Sequence, residues 1–194
     1  MMSFKQYHAL NGALQTEGLK EKLGMLGVLA SLAFATPLIS KDSNTLFNQL
    51  ARHEGVKHTV YKDKKGIPTI GIGFNLTDPG NRRYLTQLGI TDANLKAGIS
   101  DQQIKQLFDH SLRQAKLDAQ KFLPNLSSHP VQVQNAIIDM AFNLGYNRLN
   151  KFVEFKKSLL KRNYKKASND MLDSVWAKQV GNRAKYLSGL VRSS

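Results

Sequence analysis

Arg52-His-Glu-Gly-Val-Lys-His-Thr-Val-Tyr-Lys-Asp-Lys-Lys-Gly-Ile-Pro-Thr-Ile-Gly-Ile-Gly-Phe74 carries two acids and a hydroxyl at set intervals. Upstream of it, Leu46, Phe47 and Leu50 recur at helical spacing behind an Asp42 or Ser43 N-cap. Gly55 suits the left-handed position that ends a helix, so Glu54 falls on the last helical turn. Asp63 follows nine residues later and Thr69 six beyond that. The alternation predicts a strand over 59–62, a turn over 63–66 and a return strand over 69–74. Such a hairpin holds Asp63 and Thr69 together, and a short helix-to-strand link brings Glu54 beside them. Two carboxylates and a water-holding hydroxyl are the minimum set for hydrolysing a glycosidic bond.

Each of these residues also has a plainer reading. Asp63 at the first turn position is an ordinary turn-former, and Thr69 an ordinary β-branched strand residue. Glu54 reads equally as a surface acid. Its place is nevertheless unusual, because the negative end of a helix dipole disfavours a carboxylate by a few tenths to ~1 kcal/mol. An acid kept there holds its proton more readily, as a general acid must. Gly71 and Gly73 do not form a dinucleotide fingerprint, since the third glycine and the strand-to-helix context are missing. At alternate strand positions they would instead clear one face of side chains, leaving a smooth surface for a flat sugar chain.

The string Arg52-x-Glu-Gly-x7-Asp-x5-Thr-Ile-Gly-Ile-Gly resembles the active-site segment of the phage-type lysozymes, the T-even phage lysozyme family (glycoside hydrolase family 24). The resemblance covers residues 43 to 192. It implies an α+β, mostly α fold: a small lobe with a β-hairpin sheet, a long connecting helix and a helical C-terminal lobe. It implies Glu54 as general acid, with Asp63 and Thr69 positioning the water that attacks from the opposite face, with inversion. The expected substrate is the β-1,4 bond of bacterial peptidoglycan, and no metal or cofactor is expected.

The rest of the chain follows the same order. Ser100 is an N-cap with Gln103 at the capping-box position, and Ile104, Leu107, Phe108, Leu112 and Ala115 carry a helix to about Phe122. Residues 133–145 are too apolar for a surface helix and read as the core of the second lobe. Phe142-Asn143-Leu144-Gly145 matches the cleft-facing string of the family, which makes Phe142 and Asn143 candidate substrate contacts; the alternative is that Asn143 only caps the helix. Trp176-Ala-Lys-Gln179 and Asn182-Arg-Ala-Lys185 also resemble the family, in which the arginine pairs with the catalytic glutamate. Arg183 is therefore the candidate partner of Glu54, lowering a pKa that the helix end raises. Trp176 reads as core rather than sugar platform. Two departures stand out: Phe74 replaces a histidine that forms a structural ion pair, and residues 75–98 match poorly, predicting a loop with one short helix.

Composition bounds the remaining questions. The 194 residues contain no cysteine, which excludes thiolate nucleophiles, thiolate metal sites and activation by thiol exchange. A net charge of +14 calls for polyanions, and from Tyr146 onward twelve Lys or Arg face three acids. Lys156-Lys157, Lys161-Arg162 and Lys165-Lys166 predict a basic outer face on a helical hairpin, either simply solvated or drawn to anionic envelope polymers or lipid. A nucleic-acid-binding protein would explain the charge but leaves the Glu-Asp-Thr spacing as an accident, so no nucleic acid is expected as partner. A catalytically dead wall-binding protein is the other rival. Between Lys22 and Lys41 lie eighteen uncharged residues, and Ala33-Phe34-Ala35 fits a small-x-small cleavage site. Residues 1–41 thus read as an export signal, a signal-anchor or a pro-segment, and 42–194 as the lysozyme domain. The expected protein is monomeric, made in a bacterial cytoplasm and active in the periplasm or wall. Its role is that of an endolysin or, alternatively, of a virion-borne lysozyme.

Overall fold

A β-branched and aromatic run, His58-Thr-Val-Tyr61, makes the first strand, and a turn built around Asp63 sends the chain back. The computed structural model describes residues 46, 49–50, 55–63 and 66–194. Glu54, the segment 1–41 and the Asp42/Ser43 cap lie outside the described residues. Strand β1 (Lys57–Lys62) pairs antiparallel with β2 (Pro68–Gly71), with Tyr61 opposite Thr69 and an irregularity between Lys57 and Tyr61. Strand β2 in turn pairs with β3 (Phe74–Asn75), Thr69 opposite Asn75. The sheet order is β1-β2-β3.

The return strand is therefore shorter than the expected 69–74. It breaks at Gly71-Ile72-Gly73, where Gly71 has φ 67° and Gly73 φ 71°. Both glycines serve a tight reversal in a conformation that L side chains rarely adopt. This corrects the reading of a smooth strand face: Gly71 is buried, and a Cβ there would meet Ile104.

Residues 75–98 hold two helices rather than one, α1 (Pro79–Gln87) and α2 (Asp92–Ala97). Their stripes are weak, with Leu85 and Leu95 the sole buried residue of each, so periodicity gives little signal. The caps carry the information instead. The Asp78 carboxylate accepts from the Asn81 amide with Pro79 in the first turn, and Thr91 and Asn94 form a reciprocal capping box. Arg82 ties the pair, its Nε donating to the Leu76 carbonyl at 2.8 Å and its guanidinium to Asp92 at 3.0 Å.

Helix α3 (Asp101–Phe122) runs 22 residues, about 33 Å at 1.5 Å per residue. Ser100 and Gln103 form its capping box, Asp101 lies in the first turn and Lys121 in the last, all complementing the helix dipole. Ile104, Leu107, Phe108, Ala115, Ala119 and Phe122 are buried along one stripe. His58 fastens β1 to the start of this helix: its Nδ1 lies 2.9 Å from the Ile99 carbonyl and its Nε2 3.4 Å from Asp101. Phe74 is almost wholly buried and meets the His110 ring of α3 edge-on, while Tyr84 of α1 stacks on that ring at 3.9 Å. An apolar and aromatic packing cluster thus occupies the place where the resemblance has an ion pair.

After a 3-10 turn at Leu126–Ser128 comes α4 (Val131–Leu149), buried on nearly every side from Val133 to Ala141. Gly145 (φ 67°, ψ 166°) kinks it, and the Tyr146 amide finds its acceptor in the Asp118 carboxylate of α3 at 3.1 Å. Four further helices close the lobe: α5 (Val153–Leu160), α6 (Tyr164–Leu172), α7 (Val175–Val180) and α8 (Asn182–Arg192). Helix α4 packs chiefly on α3, and α8 on α6 and α4. The core joins Phe122, Ile137, Met140, Phe155, Leu159, Met171 and Leu187, and burial of a large apolar side chain of this kind stabilises by roughly 1.5–3 kcal/mol. Among the described residues no helix is long and apolar enough to cross a membrane.

Candidate active site

The hairpin loop fixes Asp63 through its own backbone. The Asp63 amide donates to the Ile67 carbonyl at 3.0 Å, and the Gly66 amide donates back to the Asp63 carbonyl at 2.9 Å. The Asp63 side chain accepts from the Ile67 amide at 2.8 Å. Gly66 supplies the positive φ of 77° that this closure needs. Thr69 lies two residues past the same pivot and donates its Oγ1 hydrogen to the Ile67 carbonyl at 2.9 Å. Asp63 and Thr69 are thus both referenced to one residue, Ile67, and Thr69 is held between Tyr61 and Asn75 at the centre of the sheet. Asp63 is half-buried and Thr69 only 3% exposed. With its hydrogen committed to Ile67, the Thr69 oxygen has only acceptor capacity left to offer.

Arg183, predicted as a site residue, is buried at the start of α8 and held by an acid that sequence reasoning did not single out. Its Nε donates to Asp139 Oδ1 at 2.7 Å, and its Nη2 approaches the Asp139 carbonyl at 3.5 Å. The other Asp139 oxygen accepts from Gln49 Nε2 at 2.6 Å. Asp139 is fully buried, and Gln49 and Arg183 are 5% and 8% exposed. The network joins the helical segment that contains Leu46, Gln49 and Leu50 to α4 and α8. A signal for it existed: Asp139 is the one charged residue in the run 133–145.

The amide of Asn143 has a structural duty in α4, accepting from the only tryptophan, with Trp176 Nε1 donating to Asn143 Oδ1 at 2.9 Å. Trp176 is 5% exposed and meets Phe152 edge-on, as a core residue does. Phe142 is half-buried and packs on Phe108 of α3, with ring centroids 5.9 Å apart. Both side chains therefore brace the junction of α3, α4 and α7. Gly55, expected to end the helix that carries Glu54, has φ 74°, the left-handed conformation that such a terminus requires. Among the described residues no group of three His, Cys, Asp or Glu could hold a metal ion.

A three-stranded antiparallel sheet, a long helix opened by a capping box and a helical lobe around a buried apolar helix define a lysozyme-like α+β fold. The chain belongs to the phage lysozyme family, whose model matches residues 51–194. Among its relatives is the pre-baseplate central spike protein Gp5 of Enterobacteria phage T4, 26% identical over 165 residues. That match takes in 80% of this chain but only 29% of the spike protein. A probable T4-type lysozyme 1 of Dictyostelium discoideum is 26% identical over 162 residues, which is 77% of this chain and 95% of that protein.

Proposed function

We propose that the protein is a muramidase that hydrolyses the β-1,4 bond between N-acetylmuramic acid and N-acetylglucosamine in peptidoglycan. The observation that carries this reading is the shared anchoring of Asp63 and Thr69 on Ile67, inside a segment matched by the phage lysozyme family. A carboxylate oxygen and a hydroxyl oxygen that can only accept would take the two hydrogens of one water. That water then turns a lone pair toward the sugar C1, and Asp63 takes up its proton as the C1–O bond forms. Glu54 protonates the departing glycosidic oxygen as the C1–O4 bond breaks. Attack from the face opposite the leaving group gives inversion.

The test is Glu54→Gln. It should abolish clearance of a peptidoglycan suspension while leaving the far-ultraviolet circular dichroism and melting temperature close to wild type. A variant that still cleared the suspension would end the assignment of Glu54.

The role we favour is that of an endolysin that lyses the host wall, acting as a monomer in the periplasm, with residues 1–41 as its export signal or anchor. Exposed Lys161 and Lys165, beside the ion-paired Lys157–Glu154 and Lys166–Asp170, support electrostatic attraction to anionic envelope polymers. A virion-borne lysozyme is the second reading, favoured by the similarity to the phage T4 spike protein. Immunoblotting of purified virions separates the two: enrichment in particles supports the second, and absence from them the first.

A further inference from the structure

We propose that Asp139 is the positioning residue of this site, holding the Arg183 guanidinium and the Gln49 helix in one fixed relation. The proposal rests on the muramidase reading and adds to it a residue which that reading does not contain. Three observations carry it. A carboxylate with no solvent exposure sits mid-helix in α4, where nothing about apolar packing calls for it. Its two oxygens are divided between two elements, one toward Arg183 at 2.7 Å and the other toward Gln49 at 2.6 Å. The Arg183 contacts use Nε and Nη2, the side-on edge of the guanidinium, so the end-on edge is turned away from Asp139.

The consequence is mechanical and electrostatic together. A guanidinium gripped on one edge cannot rotate about its long side chain, so the direction of its other edge is set by α4. Gln49 stands five residues before Glu54 in the sequence, and the same carboxylate that orients the arginine also restrains that helical segment. A single buried charge therefore links the arginine of α8 to the segment that leads to the general acid, and it compensates the charge of an arginine that is itself buried. Displacing a reacting group by about 1 Å costs on the order of 10²-fold in rate, so a link of this kind acts on turnover rather than on affinity.

Asp139→Asn keeps the shape but removes the charge paired with Arg183 and trades one acceptor for a donor, so the Gln49 amide must turn over to keep its contact. Gln49→Glu combined with Asp139→Asn returns the charge to the network and matches donor to acceptor with no amide turned over. The amide introduced at position 139 then donates to the carboxylate introduced at position 49 and accepts from Arg183, with the net charge unchanged. The readouts are kcat and KM on solubilised peptidoglycan at a temperature well below melting. Met171→Ala serves as a control for destabilisation in the core of the helical lobe, since Met171 is fully buried there. We expect Asp139→Asn to lose at least tenfold in kcat with KM within twofold. The double variant should recover most of that loss, and Met171→Ala should keep its kcat. A folded Asp139→Asn with wild-type kcat, or a double variant no better than the single, overturns the proposal. If Asp139→Asn does not fold, Gln49→Leu takes its place: a severalfold fall in kcat at constant KM supports the proposal, and an unchanged kcat refutes it. Absence of lysis by the wild-type enzyme would instead remove the muramidase reading itself.

Discussion

Replacing Thr69 by valine separates the catalytic from the structural duty of the hairpin. Valine is β-branched and of similar volume, so it keeps the strand conformation and the packing between Tyr61 and Asn75. What it removes is one hydrogen bond, from Thr69 Oγ1 to the Ile67 carbonyl at 2.9 Å. That carbonyl still accepts from the Asp63 amide at 3.0 Å, so no buried acceptor is stranded. The net loss is then that of an ordinary neutral hydrogen bond, about 1 kcal/mol. For a domain of this size that lowers the melting temperature by roughly 2–4 °C. Activity should fall much further, by on the order of 10²-fold, because in the proposed mechanism the attacking water loses one of the two acceptors that orient it. Calorimetry and turbidity clearance on the same preparation give both numbers. Wild-type activity would refute the reasoning about Thr69. So would a melting loss several times larger than expected with activity falling only in step, which would make the threonine purely structural.

Two further predictions concern stability. Ser100→Ala removes the side-chain half of the capping box on α3, where Ser100 accepts from the Gln103 amide, and should cost about 1 kcal/mol without altering KM, measured by denaturant unfolding and steady-state kinetics. The second concerns pH. Burial lowers the pKa of His129 below 6.5, with nearby Arg162 lowering it further, and burial likewise lowers that of His110, reinforced by Arg113 and opposed by Asp78. Both are neutral when folded in a range where the unfolded chain is already taking up protons. Their contribution is therefore fully present above about 6.5 and is lost as pH falls below it through the folded values. Melting temperature should drop from neutral pH toward ~5, and His129→Gln should flatten that slope; an identical slope in the variant would exclude His129 as a source.

Much of this architecture is legible in the sequence because local chemistry and tertiary context agree there. Helix α3 begins and ends where the Ser100 cap and the stripe from Ile104 to Phe122 place it, since a long stripe and a reciprocal cap leave few alternatives. The Asp63 turn follows from its own side chain and Gly66. The glycines after Thr69 are another matter, because alternation alone cannot tell a strand from a strand broken by two positive-φ residues. The bend at Gly71 and Gly73 is decided by backbone angles that only the folded sheet reveals. Helices α1 and α2 are harder to see because single buried leucines give no periodicity, although Asp78-Pro79 and Thr91-Asn94 mark their starts. Asp139 and Gln49 are ninety residues apart, and no spacing rule links them. Asn143 shows the converse: a candidate for substrate contact satisfies the buried indole of Trp176.

The central claim is that this chain cuts the muramic-acid glycosidic bond of peptidoglycan by direct water attack. Muropeptides released from purified sacculi, separated and analysed by mass spectrometry with the anomer of the fresh reducing end read by early-time NMR, test it most directly. The expected products carry N-acetylmuramic acid at the reducing end, formed first as the α anomer. Products ending in reducing N-acetylglucosamine, anhydro-muramic ends, or new free amino groups on intact glycan strands would contradict it.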